Sequence, residues 1–181
     1  EVFKEGTYEI ESERRGYALE LAVDFVRMEY TRHRFWEKDD TPVVPLKPQT
    51  LEDVIGTWPQ GKINVRISDY MFRPHQKWTI TAVPDGGGYL GGPYYKTVIE
   101  GTNRALAATA GAEIVTVPEF TGAPEQLWRI DQLTDGTYRI MPKKVPGTDK
   151  ELVLVSVGDS TPSLGIFDMN SDNSKWNFRD H

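Results

Sequence analysis

The sequence contains no cysteine among its 181 residues. A disulfide framework, a thiolate metal site and a cysteine nucleophile are therefore all excluded. Histidine is scarce as well, because the chain has only His33, His75 and His181, and no two of them have the spacing of a metal-binding pair. Walker and dinucleotide-binding motifs are also missing. We therefore expect the protein to bind neither a metal nor another cofactor.

Long apolar stretches and an excess of positive charge are absent too. No segment approaches the roughly eighteen consecutive apolar residues that a membrane-spanning helix requires. The 21 basic and 27 acidic residues give a net charge of -6, which would repel a phosphate backbone. We therefore expect a soluble protein, cytoplasmic or secreted, that binds neither nucleic acid nor membranes.

Motifs for catalysis are missing in the same way. The chain has no Gly-x-Ser-x-Gly motif. The acid pairs Asp39-Asp40 and Glu52-Asp53 lie among loop residues, whereas a catalytic carboxyl pair needs one member in an apolar pocket. We therefore expect a binding protein and not an enzyme.

What the sequence does contain is a short pattern that occurs three times. A Gly-x-Tyr segment opens each copy, and a segment of the form Trp-x-Ile or Trp-x-Phe closes it. The openings are Gly6-Thr7-Tyr8, Gly87-Gly88-Tyr89 and Gly136-Thr137-Tyr138, and the closings are Gln76-Lys77-Trp78-Thr79-Ile80, Gln126-Leu127-Trp128-Arg129-Ile130 and Ser174-Lys175-Trp176-Asn177-Phe178. The step from Trp78 to Trp128 is 50 residues and the step from Trp128 to Trp176 is 48. A period of this size predicts three copies of one structural unit, at residues 6–80, 85–130 and 136–178.

Each copy has the apolar alternation of short β-strands. Apolar residues recur at every second position, as in Trp128 and Ile130 or Tyr138 and Ile140, which is the period of a strand with one buried face. Asp85-Gly86 and Asp135-Gly136 separate a closing strand from the next opening strand, where Asp-Gly favours a tight turn. About four strands per copy cannot bury their own face, so we expect the copies to close around one axis. The rings predicted to lie near that axis are Tyr8, Trp78, Tyr89, Trp128, Tyr138 and Trp176.

Three units of about fifty residues, each ending on a Gln-x-Trp type of strand, resemble the β-trefoil fold of ricin B-type and fungal trefoil proteins. Gln76 and Gln126 match the signature, whereas Ser174 departs from it. The resemblance covers essentially the whole chain. It implies an all-β protein with residues 1–181 in a single β-trefoil domain.

The first copy is enlarged, with 70 residues between Tyr8 and Trp78. Residues 18–30 can be interpreted either as an alternating strand or as an amphipathic helix, and the trefoil frame favours the strand. Four prolines between Asp39 and Gly61 predict an external loop, with one helical turn for which Thr50 is the N-cap.

Two hypotheses for function follow from the trefoil resemblance. In ricin B-type lectins an acidic residue after the second strand, an aromatic platform in the third strand and an Asn or Asp before the Gln-x-Trp hold a sugar. The third copy is similar to this pattern, which implies a carbohydrate site at Asp159, Phe167, Asp168 and Asn170.

The other hypothesis is protease inhibition, which we place first. The Gly-Gly loop and following strand at Gly91, Gly92, Pro93 and Tyr94 are similar to those with which mycocypins block papain-like proteases, and cospin-type inhibitors share the trefoil frame. A second, proline-bracketed loop carries Lys143-Lys144, which would suit the acidic pocket of a trypsin-like protease. We therefore expect a papain-like or trypsin-like protease as partner, with a glycan as the alternative.

Overall fold

The computed structural model describes residues 3–14, 16–23, 51–89, 92–158 and 160–180. They fall into two compact units, one within residues 1–22 and 59–181 and the other within residues 23–58. The second unit contains helix α1 (Leu51–Gly56), and this confirms the helical turn predicted directly after Thr50. Every strand of the described residues belongs to the first unit.

The described strands number twelve, four in each repeat. Repeat one has β1 (Gly6–Ser12), β2 (Ala18–Leu21), β3 (Ile63–Ser68) and β4 (Trp78–Tyr89); repeat two has β5 (Gly92–Ile99), β6 (Ala105–Ala108), β7 (Ile114–Val117) and β8 (Trp128–Gln132); repeat three has β9 (Tyr138–Pro142), β10 (Val153–Val157), β11 (Thr161–Gly165) and β12 (Trp176–Asp180). The first and fourth strands of the three repeats form a closed antiparallel ring, in the order β1, β4, β5, β8, β9, β12 and back to β1. The second and third strands of each repeat form a hairpin. This barrel with three hairpins is a β-trefoil, so the predicted fold class is confirmed.

The three tryptophans occupy equivalent positions in the core. Trp78, Trp128 and Trp176 have no exposed surface. Each indole Nε1 donates to the backbone oxygen of a leucine in the second strand of its repeat, at 2.9 Å; the acceptors are Leu19, Leu106 and Leu154. The indole therefore joins the barrel to the hairpin and satisfies its own polar atom, as a buried tryptophan requires.

The tyrosine of repeat two is Tyr95 and not Tyr89, which corrects the prediction. Tyr8 pairs with Trp78 and Tyr138 pairs with Trp176, but the partner of Trp128 is Tyr95, which is only 2% exposed. Tyr89 instead pairs with Gly92 near the end of a long hairpin.

The reason for this shift lies in the glycine-rich segment. Asp85-Gly86 does not end a strand, because β4 continues to Tyr89 after a register shift between Val83 and Gly88. A Cβ on Gly88 would lie 2.7 Å from the backbone oxygen of Gly92, so only glycine permits this close strand pairing. By contrast, Asp135-Gly136 forms the predicted turn, with Gly136 at φ 89°.

An aromatic cluster around Phe3 brings together rings from all three repeats. Its ring lies 5.2 Å from that of Tyr8 and 5.6 Å from those of Tyr95 and Tyr138, centroid to centroid. Phe178 adds a fourth neighbour at 4.7 Å. Because the three tyrosines come from three repeats, Phe3 packs against all of them at once and holds the repeats together.

The enlarged part of repeat one is described in part. Residues 18–21 form β2, which confirms the strand interpretation there, whereas residues 24–30 lie outside the described residues. The proline-rich loop is likewise outside the described residues up to residue 50.

Candidate functional site

The loop before each core tryptophan is held by the side chain that opens the Gln-x-Trp segment. Gln76, only 1% exposed, accepts hydrogen bonds on Oε1 from the backbone nitrogens of Met71 at 2.8 Å and Arg73 at 3.4 Å. Gln126 accepts from the backbone nitrogen of Thr121 at 2.7 Å in the equivalent loop. The glutamine therefore fixes the loop five residues upstream.

In repeat one this loop holds Phe72 in an unusual backbone conformation. Phe72 has φ 58° and its side chain is 71% exposed. The equivalent residue in repeat two, also four residues before the glutamine, is Gly122 at φ 86°. A left-handed conformation is natural for glycine but strained for a bulky residue. The fold thus uses glycine at this position in one repeat and tolerates an exposed phenylalanine in the other.

Tyr70 packs beside Phe72. The two ring centroids are 4.7 Å apart, with the rings tilted by 58°. Burial, followed by the charges of Glu9 and Glu100, raises the pKa of Tyr70 to about 12, so the phenol keeps its proton at neutral pH. We call Tyr70 and Phe72 the aromatic ledge; it presents one exposed ring supported by a half-buried one.

Beneath the surface of repeat one lies a polar cluster around Glu20 of β2. The carboxylate is 3% exposed; its Oε2 lies 2.7 Å from Arg66 Nε and 3.3 Å from His75 Nε2, and its Oε1 accepts from Gln76 Nε2 at 2.8 Å. Burial would raise the pKa of Glu20, but the hydrogen bonds from His75, Arg66 and Gln76 outweigh it and lower the pKa below its ordinary value. Glu20 is therefore an anion that orients its three donors.

A second carboxyl group lies under the same repeat, on β1. Burial, and then the charge of Glu11, raise the pKa of Glu9 to about 7, while Arg179 acts in the opposite direction. Arg179 Nε is 2.5 Å from Glu11 Oε2, so the guanidinium pairs with Glu11 and not with the buried Glu9.

The sequence pattern did not predict the polar cluster around Glu20. Glu20 lies in the second strand and His75 directly precedes Gln76, so repeat one has polar residues near two of the positions that the lectin pattern uses. The available signal was an acidic residue inside the apolar segment Ala18–Leu21. In repeat three the residue equivalent to Glu20 is Val155, because Leu19 and Leu154 accept the same tryptophan hydrogen bond.

Of the four residues predicted to bind a sugar in repeat three, the structure describes Phe167, Asp168 and Asn170. Phe167 packs against the buried cluster of Met141, Val153 and Val155, and the guanidinium of Arg139 lies 5.1 Å above its ring. Asp168 is exposed and accepts from the backbone nitrogen of Asn170 at 2.9 Å, while Asp159 lies outside the described residues. Phe167 is therefore used for packing, and Asp168 and Asn170 form a local turn beside it.

The structure brings together residues from the two loops of the protease hypothesis. Lys143 Nζ lies 5.2 Å from the ring centroid of Tyr94, and Lys144 follows it along the rim of one cleft. Gly92 and Pro93 open β5, whereas Gly91 lies outside the described residues. Gly92 pairs with Tyr89 in the hairpin, and its backbone oxygen is the atom that a Cβ on Gly88 would meet.

Among the residues that the structure describes, no group of three or more His, Asp or Glu side chains is arranged to hold a metal ion. No helix among the same residues is long and apolar enough to cross a membrane.

Comparison with known proteins identifies the fold. Residues 74–161, just under half of the chain, match the family described as ricin-type beta-trefoil lectin domain-like. A search of curated proteins gave no match. Among solved structures, the designed threefold-symmetric protein ThreeFoil has 19% identity and a TM-score of 0.64, over 97% of this chain and 99% of that one.

Two structures solved with saccharides have similar folds. SeviL, solved with asialo-GM1 saccharide, has 12% identity and a TM-score of 0.57, with 98% of each chain covered. The Polyporus squamosus lectin, solved with the human-type influenza-binding epitope Neu5Aca2-6Galb1-4GlcNAc, has 17% identity and a TM-score of 0.61, over 98% of this chain and 50% of that one. At such identities the likeness establishes a shared β-trefoil fold.

Proposed function

We propose that the protein is a non-enzymatic carbohydrate-binding protein that holds a sugar on the aromatic ledge of repeat one. The observation that carries this proposal is Phe72, a large apolar side chain that is 71% exposed and held at φ 58°. Backbone strain of this kind costs about 1–3 kcal/mol and is concentrated at functional sites. Repeat two builds the same loop with Gly122, so the trefoil itself does not need the phenylalanine.

The chemistry around the ledge suits a sugar. An exposed ring offers an apolar face against which the C–H face of a pyranose can pack, and neighbouring polar groups can bind its hydroxyls. Arg66 is the accessible member of the polar cluster, with 40% of its side chain exposed, whereas Glu20 is 3% exposed. We assign Arg66 to hydroxyl binding and Glu20 to holding Arg66 in place.

Gln76 links the polar cluster to the ledge. Its Nε2 donates to Glu20 Oε1 at 2.8 Å and to the backbone oxygen of Asp69 at 2.7 Å. Its Oε1 accepts from the backbone nitrogens of Met71 and Arg73, on either side of Phe72. One buried side chain thus fixes both halves of the proposed site, and preorganisation of this kind favours binding.

The comparisons support a glycan as the ligand class. The family match is to a lectin-like domain, and two of the structural neighbours were solved with saccharides bound. Nothing comparable supports protease inhibition, which stays a prediction. The carbohydrate site at Phe167, Asp168 and Asn170 also stays a prediction and is a second candidate position on the same molecule.

A glycan array followed by calorimetric titration of the best ligand tests the proposal. Phe72→Ala should weaken binding at least tenfold, about 1.4 kcal/mol. Met169→Ala is the matched control, because Met169 is 70% exposed and lies in the equivalent loop of repeat three. It should leave the affinity unchanged.

Three outcomes contradict the proposal. The wild-type protein could bind no glycan on the array, or Phe72→Ala could bind as well as wild type. Asp168→Ala could also abolish binding while Phe72→Ala does not, in which case the site lies in repeat three. A parallel panel with papain and trypsin tests the protease hypothesis on the same preparations.

A further inference from the structure

A cleft of about 310 Å³ lies between β5 and the loop that follows β9, and its lining residues belong neither to the ledge nor to the polar cluster. Its volume falls at the lower end of the range of small-molecule sites, about 300–1,000 Å³. Buried apolar side chains contribute to its lining, with Met141 7% and Val145 3% exposed. We call it the lysine cleft, because its other lining residues include Lys143, Lys144 and Lys150.

Lys143 is held in a defined position at this cleft. Its Nζ donates to the backbone oxygen of Gly86 at 2.6 Å and lies over the ring of Tyr94, 5.2 Å from the centroid. A Cβ on Gly87 would lie 3.5 Å from the same Nζ, and Gly87 has φ 87°. The glycine-rich hairpin therefore approaches the lysine closely. Two neutral contacts hold the ammonium group without neutralising its charge.

The cleft carries more positive than negative charge in a protein whose net charge is -6. Its lining includes four cationic side chains, those of Arg129, Lys143, Lys144 and Lys150, and two anionic ones, those of Asp149 and Glu151. Arg129 Nε lies 2.7 Å from Asp131 Oδ2, but that oxygen also accepts from Arg139 NH2 at 2.8 Å. Asp131 therefore pairs with two guanidinium groups at once.

We propose that the lysine cleft binds the anionic group of an acidic sugar, namely the carboxylate or sulfate of a charged saccharide. Hydrogen bonds from Lys and Arg to an anion are shorter and stronger than neutral ones, and the partly buried Arg129, with 15% of its side chain exposed, is screened less by solvent. Tyr94 and the apolar floor supply the surface against which the sugar ring packs.

The charges of the cleft by themselves predict that it prefers an anion. The inference that this anion belongs to a sugar rests on the proposed function. The two sites are separate, so their failures can be told apart. Loss of the ledge should remove binding of neutral glycans, and loss of the lysines should remove only the additional affinity for charged ones.

The experiment is a titration of the full 181-residue chain with four probes. Lactose, 3′-sulfated lactose and 3′-sialyllactose share one disaccharide and differ in charge, and sodium sulfate supplies the anion without the sugar. Calorimetry gives the affinities, and amide chemical shifts of Val145 and Thr148 report on the cleft. The two charged sugars should bind at least tenfold more tightly than lactose, shift both amides, and bind less tightly as salt is raised.

The double variant Lys143→Gln with Lys144→Gln should reduce the affinity for both charged sugars at least tenfold and leave that for lactose unchanged. Lys62→Gln is the control, because Lys62 is an exposed lysine outside the cleft. Phe72→Ala should leave the shifts of Val145 and Thr148 intact.

Four outcomes overturn the proposal. The first is equal affinity for lactose and both charged sugars. The second is an equal loss of affinity for the charged sugars in Lys62→Gln and in the double variant. The third is binding of sodium sulfate as tight as that of sulfated lactose. The fourth is trypsin inhibition that the double variant abolishes while no charged sugar binds, which would assign the cleft to a protease.

Discussion

Phe72 offers a test in which stability and binding are expected to respond differently to the same substitutions. At an ordinary exposed position glycine is less stable than alanine by about 0.4–1 kcal/mol, because glycine gains more freedom in the unfolded chain. At φ 58° alanine keeps a left-handed penalty of about 1–2 kcal/mol that glycine does not have. The difference leaves Phe72→Gly more stable than Phe72→Ala by about 0.5–1 kcal/mol.

Urea unfolding with linear extrapolation measures this difference. Two glycines of the same chain serve as controls. Gly122 has φ 86° and nothing within 4 Å of an added Cβ, so Gly122→Ala should lower the free energy of unfolding by about 0.5–1 kcal/mol. Gly61 has equally open surroundings but no left-handed φ, so Gly61→Ala should not lower the free energy of unfolding and should raise it by up to about 0.5 kcal/mol.

Both Phe72 variants lack the ring, so both should lose sugar binding to the same extent even though their stabilities differ. The reasoning is refuted if Phe72→Ala proves more stable than Phe72→Gly, because the backbone at residue 72 would then carry no strain. It is also refuted if either variant keeps the affinity of the wild type.

Three further predictions concern the fold. Trp128→Ala should cost about 3–5 kcal/mol of unfolding free energy, since the indole is fully buried; a change within about 0.5 kcal/mol in urea unfolding would remove Trp128 from the core. Gly88→Ala should destabilise the protein by about 1 kcal/mol or more in the same assay, because its Cβ would meet the backbone oxygen of Gly92, whereas Gly61→Ala should not. The pKa of Glu9, raised from 4.5 to about 7, means that its stabilising contribution is complete below about pH 4.5 and is lost as the pH rises through 7. Glu9→Gln should therefore remove a decline in stability between pH 5 and 7.5, roughly the window of that titration; an unchanged decline would show that another group causes it.

The fold was predictable because the three tryptophans are spaced by the length of one repeat, and all three are fully buried. The tyrosines were less informative. Tyr89 lies 39 residues before Trp128, close to the 38 residues between Tyr138 and Trp176, but the residue that pairs with Trp128 is Tyr95, only 33 residues before it. The length of β4 depends on the close approach of two backbones that Gly88 permits. The spacing of aromatic residues along the sequence does not reveal such an approach.

The proposed site was harder to predict, because its residues are distant in sequence. Glu20 and Arg66 are 46 residues apart, and only the pairing of β2 with β3 places them side by side. The strain at Phe72 is a backbone property. One sequence signal was nevertheless available, since Phe72 and Gly122 stand at the same distance before Gln76 and Gln126.

The pairing of β1 with β12 makes the trefoil ring depend on strands from opposite ends of the described chain. Five residue pairs join them, from Tyr8 with Asp180 to Ser12 with Trp176. During synthesis, β1 therefore cannot pair with β12, one of its two barrel neighbours, until residues 176–180 have left the ribosome. A chain that stalls earlier has a barrel with unpaired strand edges at β1 and β9, and such edges pair readily with other chains. Truncation before Trp176 is thus a route to aggregation even where the first two repeats are intact.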